Sequence, residues 1–188
     1  MKIEGAKILV TGGAGLIGST TIDQLLANEN PAEIVILDNM SRGTTRNLEN
    51  ALKDERVKLI QGDIRDKDLV YKVTEGMDAV IHMAAIRITA CAADPREAME
   101  VMNDGTFNVI DAAHKAGVKK VLAASSASIL GLADTFPTKE DHHPYNNRTW
   151  YGASKIMLEG LLRSYNDMYG LNYVAMRYFN VYGPRMDV

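Results

Sequence analysis

The sequence predicts an α/β chain built on a doubly wound parallel sheet, and three observations carry that prediction. Six short, β-branched apolar runs recur along it, segments with helical spacing separate them, and a glycine-rich turn leads the first run straight into a helix. Uninterrupted apolar runs suit strands buried on both faces, and right-handed crossovers through helices place such strands side by side.

Taken in order, Ile8-Leu9-Val10 is the first strand. Thr11-Gly12-Gly13-Ala14-Gly15-Leu16-Ile17-Gly18 follows, reading as G-x-x-G-x-x-G from Gly12 and as G-x-G-x-x-G from Gly13. Glycines there let the backbone turn sharply and approach a diphosphate, while the next helix offers unpaired N–H groups and the positive end of its dipole. No Lys-Ser or Lys-Thr follows, so the turn is not that of a triphosphate-binding loop. Leu16, Ile17, Ile22, Leu25 and Leu26 stripe the first helix. Ile34–Leu37 is the second strand, Val57–Ile60 the third and Ala79-Val80-Ile81 the fourth. Val101, Val109, Ile110 and Ala113 mark a helix before the fifth strand, Val121–Ala124, whose end carries Ser125-Ser126-Ala127-Ser128. Ile129 to Thr149 is a long polar connection with Pro137 and Pro144, a length usually found in functional or disordered segments. Met157, Leu158, Leu161 and Leu162 stripe the next helix, and Tyr173–Met176 is the sixth strand.

Bulk properties narrow the function. The chain has 188 residues, 46% hydrophobic and 24% charged, which suits one globular domain over 1–188. A formal charge of −3 and no basic stripe argue against nucleic acid as a partner. Cys91 is the single cysteine, so no internal disulfide forms and a reducing, cytoplasmic setting is expected. The start lacks a signal-peptide core, and no apolar stretch is long enough to span a membrane.

Two constellations carry chemistry. Asp38 ends the second strand, about 20 residues beyond Gly18, where a carboxylate can accept from the ribose hydroxyls of an adenosine. Its charge would repel a 2′-phosphate and so favours NAD over NADP, with Arg42 nearby as an offset. Asp63 either reaches the adenine or caps the following helix. The second constellation is Tyr151 and Lys155, which share a helix face at i and i+4. A nearby ammonium would favour phenolate, and bringing a phenol to near neutrality takes about 4 kcal/mol. The serines after the fifth strand lie at the carboxyl edge of the sheet, where such folds bind their ligands.

T-G-G-x-G-x-I-G, Asp38, G-D-I, H-x-A-A at His82–Ala85, S-S-A-S, Y-x-x-x-K and R-Y-F-N-V-Y-G-P-R at Arg177–Arg185 occur in that order. Together they resemble the extended short-chain dehydrogenases/reductases, and among them the nucleotide-sugar 4-epimerases acting on UDP-sugars. The resemblance implies a seven-stranded Rossmann sheet and NAD held by Gly12, Gly15, Leu16, Ile17, Gly18, Asp38, Asn39, Asp63, Ile64, Ala84, Ala85, Tyr151, Lys155 and Tyr178. It implies that Tyr151 takes the proton from the sugar 4-hydroxyl, that Lys155 keeps the phenol acidic, and that Ser126 bonds the same hydroxyl. Ser128 would lie beside it and Asn180 against the diphosphate of the nucleotide sugar. It further implies a homodimer through helices around Pro95–Ala116 and Thr149–Tyr169, and a C-terminal substrate region that is largely missing from this chain.

Ala127 and Ser128 stand where related dehydratases carry Asp-Glu, which favours epimerisation over elimination. Three departures bear on activity: Asn103 falls one place late in the family's Asn-x-x-Gly-Thr, Leu130 replaces a tyrosine, and the chain stops at Val188. The alternatives are an inactive NAD-binding or dimerisation module, and a nucleotide-sugar dehydratase or reductase. His82, His114, His142 and His143 match no common metal-ligand spacing, so no metal is expected.

Overall fold

The computed structural model describes residues 1–186 and contains six parallel strands among them. These are β1 (Lys7–Thr11), β2 (Glu33–Asp38), β3 (Val57–Gln61), β4 (Ala79–His82), β5 (Lys120–Ser126) and β6 (Tyr173–Tyr178). Their order across the sheet is β3-β2-β1-β4-β5-β6, the doubly wound arrangement, in which the strand order reverses between β1 and β4. The resemblance implied seven strands; the described residues form six, because no further strand follows β6 before residue 186.

Each apolar run became a strand because alternate residues are buried on opposite faces. Leu9, Val35, Val80 and Val121 face one core, packed by α2 (Lys67–Thr74), α5 (Thr106–Lys115) and α6 (Trp150–Tyr169). Ile8, Val10, Ile34, Ile36 and Ile81 face the other, packed by Ile22 and Leu25 of α1 (Leu16–Asn28) and by Leu48 and Ala51 from two 3-10 turns. On the α1 side the cover thins toward β6, where Val174 is 39% exposed. Asp111 ties the helices of the first face together, accepting hydrogen bonds from Tyr71, Lys115 and Tyr165.

The helical segment before β5 is more complex than its stripe suggested. Short helices α3 (Ile88–Ala93) and α4 (Pro95–Ala98) lead into a seven-residue π-helix, Met99–Gly105, which continues as α5. The wider π-turn changes which side chains face the sheet. Met102 points inward, its Sδ accepting the Ile86 N–H at 3.4 Å, while the Asn103 amide donates to Met99 Sδ at 3.0 Å. No helix among the described residues is long and apolar enough to cross a membrane.

Candidate active site

The carboxyl ends of β1, β2, β4, β5 and β6 open on a cleft of about 1080 Å³. It runs from the glycine turn and Asp38, past Ala84 and Ala85, to Ser126, Tyr151, Lys155 and Asn180. A cleft of that size accommodates a large ligand such as a dinucleotide. Every residue proposed from the sequence for cofactor or substrate contact lines it, including Leu16, Ile17, Asn39, Ile64, Ser128 and Tyr178.

The glycine turn forms the cleft's first wall. Gly12 has φ +70°, and a Cβ there would lie 2.6 Å from the Ala84 amide nitrogen, so β1 and the end of β4 can meet only over a glycine. A Cβ on Gly15, by contrast, would meet only the Gly12 carbonyl at 3.4 Å, so internal packing does not demand glycine there, although Gly15 faces the cleft. The Ser19 amide donates to the Gly15 carbonyl at 3.0 Å, and the amides of Leu16, Ile17 and Gly18 precede this first helical bond. That gives a diphosphate a cradle of donors, a side free of Cβ atoms and a helix dipole, and the site fits a dinucleotide.

Asp38 has a second task that sequence reasoning missed. Its Oδ2 accepts from the Ala14 amide at 2.9 Å and its Oδ1 from the Met40 amide at 2.9 Å, so it also shapes the turn it borders. Asp63 is held by the Arg65 guanidinium and by the Asn39 amide, and Arg65 keeps its carboxyl at about 2. The helix-cap alternative for Asp63 is corrected: Asp66 caps α2, accepting the Leu69 amide at 3.0 Å. His82 is fully buried between Thr11 (2.7 Å) and Thr106 (3.1 Å), and burial brings its pKa down to about 3, so it is a neutral tie between β1, β4 and α5.

The second wall is the start of α6. Thr149 caps this helix by accepting the Gly152 amide at 3.0 Å, which sets Tyr151 in the first turn and Lys155 one turn further on. Both side chains face the cleft, with Lys155 Nζ 5.6 Å from the centre of the Tyr151 ring. Lys155 is only 2% exposed and donates to the Ala124 carbonyl at 2.6 Å; burial pulls its ammonium from an ordinary 10.5 to about 8. Burial pushes Tyr151 above its ordinary value, and the nearby Ser126 hydroxyl offsets this only in part. The physical reason is geometric: the ammonium is bonded to a backbone carbonyl and not to the phenol oxygen.

Behind Tyr151 lies a small apolar cluster of Cys91, Ala98 and Met102. Met102 is buried in that cluster, and neither it nor Asn103 lines the cleft, whereas Val101 does; Asn103 leaves its Oδ1 buried without a hydrogen-bond partner. Sequence reasoning also missed Glu159, which accepts from Ser125 and pairs with Arg177. The spacing Lys155–Glu159 on one helix face was the available signal. Missed too was Asp134: its carboxylate lies 2.7 Å from His143 Nε2 and 3.8 Å from His142 Nε2 in the long connection. Those three residues group although their sequence spacing matched no ligand pattern.

Comparison with known proteins gives this geometry a lineage. The UDP-glucose 4-epimerase of Mycolicibacterium smegmatis is 39% identical over 184 residues, an alignment covering 96% of this chain and 58% of the relative. The UDP-N-acetylglucosamine 4-epimerase from Methanobrevibacter ruminantium, solved with UDP-N-acetylmuramic acid, superposes with a TM-score of 0.91 at 34% identity, over 98% of this chain and 58% of that one. The UDP-glucose 4-epimerase of Thermus thermophilus, solved with NAD, gives 0.86 at 34% identity, over 96% and 57%. The chain thus spans a little over half the length of the relatives it matches. Residues 8–188 match the NAD dependent epimerase/dehydratase family, and on that match and on this site the chain belongs to it.

Proposed function

We propose that the chain is the NAD-binding, catalysis-bearing part of an epimerase that inverts C4 of a nucleotide-diphosphate sugar, with a UDP-sugar as substrate. The observation that carries this reading is the convergence of Tyr151, Lys155 and Ser126 on the same cleft as the glycine turn. The similarity to epimerases solved with NAD and with a UDP-sugar supports it.

Gly12, Gly15 and the first amides of α1 would hold the diphosphate of NAD, and Asp38 its adenosine ribose. Bound NAD⁺ would supply a hydride acceptor and a positive ring beside the phenol. Tyr151 then takes the proton from the sugar 4-hydroxyl, and Ser126, on the same cleft, holds that hydroxyl in line. Lys155, fixed by the Ala124 carbonyl, supplies positive charge one helical turn from the phenolate that forms. With loss and regain of the C4 hydride supplied by the bound cofactor, the sugar would turn over in the cleft as a 4-ketose, and Tyr151 would return the proton to the 4-oxygen. Neither Ala127 nor Ser128 carries the acid that elimination requires, so the keto sugar has no proton donor there for water loss.

The reading includes a homodimer. Trp150, Met157 and Met168 are exposed on α6 and, at seven and eighteen residues from the first, lie within about 20° of one line along it. Phe107 on α5 adds a further exposed apolar side chain. An unpaired apolar stripe of this kind suits a face that meets its own copy. A reducing, cytosolic setting suits the lone buried thiol of Cys91.

The test is to incubate the protein with NAD⁺ and UDP-glucose or UDP-N-acetylglucosamine and follow C4 by NMR. Wild type should invert C4, and Tyr151→Phe should lower turnover by about 10²–10⁴-fold while NAD⁺ still binds. Bound NAD⁺ with no inversion would identify a binding module, and a lasting deoxy sugar a dehydratase; either result overturns the proposal.

A further inference from the structure

We infer that Glu159 and Arg177 form a positioning pair that holds the serine turn and the long connection in register with the reacting residues of α6. This inference rests on the epimerase reading above. Neighbouring residues at the end of β5 engage α6: the Ala124 carbonyl takes Lys155, and the Ser125 hydroxyl donates to Glu159, while Ser126 lines the cleft together with Tyr151. Tyr151, Lys155 and Glu159 are spaced i, i+4 and i+8, so they form one row down the helix face that meets the sheet. The first of those two links belongs to a reacting group, and the second has none.

Glu159 is fixed in turn by Arg177. The guanidinium meets it with both a Nε and a Nη donor, at 2.9 and 2.8 Å, a fork that sets direction as well as distance. Arg177 lies on β6 directly opposite Ser125 in the parallel register. Its remaining nitrogen, Nη1, donates to the Glu140 carbonyl in the long connection. One ion pair therefore joins the catalytic helix, the ends of β5 and β6 and the long connection. Arg177 holds the Glu159 carboxyl below its ordinary value against the effect of burial, so the acceptor for Ser125 stays ionised. Nothing in the pair touches the place a sugar would occupy between Ser126 and Tyr151; its influence passes through Ser125 and the backbone on either side. A misplacement of about 1 Å at a reacting group can cost about 100-fold in rate.

The test compares wild type, Glu159→Ala, Glu159→Gln and Arg177→Lys with NAD⁺ and UDP-glucose or UDP-N-acetylglucosamine, alongside amide hydrogen exchange. Glu159→Ala should lower kcat by about 100-fold with KM changed far less. Glu159→Gln should recover part of that loss, because its amide oxygen still accepts from Ser125. Exchange should quicken at Ser125–Ser128 and around Glu140, and stay unchanged at Gly12–Gly18, along with NAD⁺ affinity. Should Glu159→Ala fail to fold, the same split is read from Glu159→Gln and Arg177→Lys. An unchanged kcat, a loss shared equally by NAD⁺ binding, or a Gln variant no better than Ala would overturn the inference. If wild type inverts no sugar, the epimerase reading fails by itself, and the pair is then judged on exchange alone: unaltered protection at Ser125–Ser128 refutes it.

Discussion

Lys155 offers a measurement that needs no substrate. Its ammonium is buried against the Ala124 carbonyl, and burial brings its pKa from 10.5 to about 8. Below about pH 8 both the folded and the unfolded lysine carry a proton, and folding bears the full desolvation penalty of about 3 kcal/mol. Between about 8 and 10.5 the folded lysine has released its proton while the unfolded one keeps it, so stability rises with pH in that window. Lys155→Met removes the titration. It also leaves the Ala124 carbonyl without its donor, which costs about 1–3 kcal/mol at every pH. Near neutrality the two effects nearly offset, and the variant should match wild type or exceed its stability by up to about 2 kcal/mol. Toward pH 10 it should fall below wild type, the difference between the two proteins moving by about 2.5 kcal/mol overall. Urea denaturation of both proteins across that range measures the difference directly, and titrations they share cancel. A difference that stays flat to within about 0.5 kcal/mol would show that Lys155 does not bear a burial penalty, and the electrostatic account of the site would fail with it.

Two further predictions concern the scaffold. Gly12→Ala places a Cβ 2.6 Å from the Ala84 nitrogen on a residue with φ +70°, and should cost about 3 kcal/mol in a denaturation experiment as well as weakening NAD⁺ binding; wild-type stability in that variant would refute the packing argument. Met157→Lys puts a charge in the middle of the apolar stripe on α6 and should turn a dimer into a monomer by analytical ultracentrifugation; a monomeric wild type, or a variant that still dimerises, would refute the dimer proposal.

Much of this molecule is legible from local pattern. All six strands follow from runs such as Ile34–Leu37, because a strand buried on both faces must be apolar throughout, and that requirement is written residue by residue. The turn from Gly12 to Gly18 and the Tyr151–Lys155 pair are likewise local patterns, and their places after the first and fifth strands put both at the carboxyl edge of the sheet, where the structure joins them in one cleft. Helix α2 was anticipated only through a capping residue, placed three positions early at Asp63, because Lys67–Thr74 is short and only half apolar; the π-helix escaped notice because its wider turn leaves no mark in a 3.6-residue stripe.

What the order of residues determined by itself is the alternation of strand and helix and the kinds of group brought to the carboxyl edge of the sheet. What only the tertiary structure decided is how those groups are partnered. Ser125 meets Glu159 across 34 positions and Arg177 only through the β5–β6 register, and Lys155 bonds a backbone carbonyl rather than the tyrosine one turn away. Charge and proton affinity depend on distance and burial, and folding sets both by bringing together segments that lie far apart in the chain.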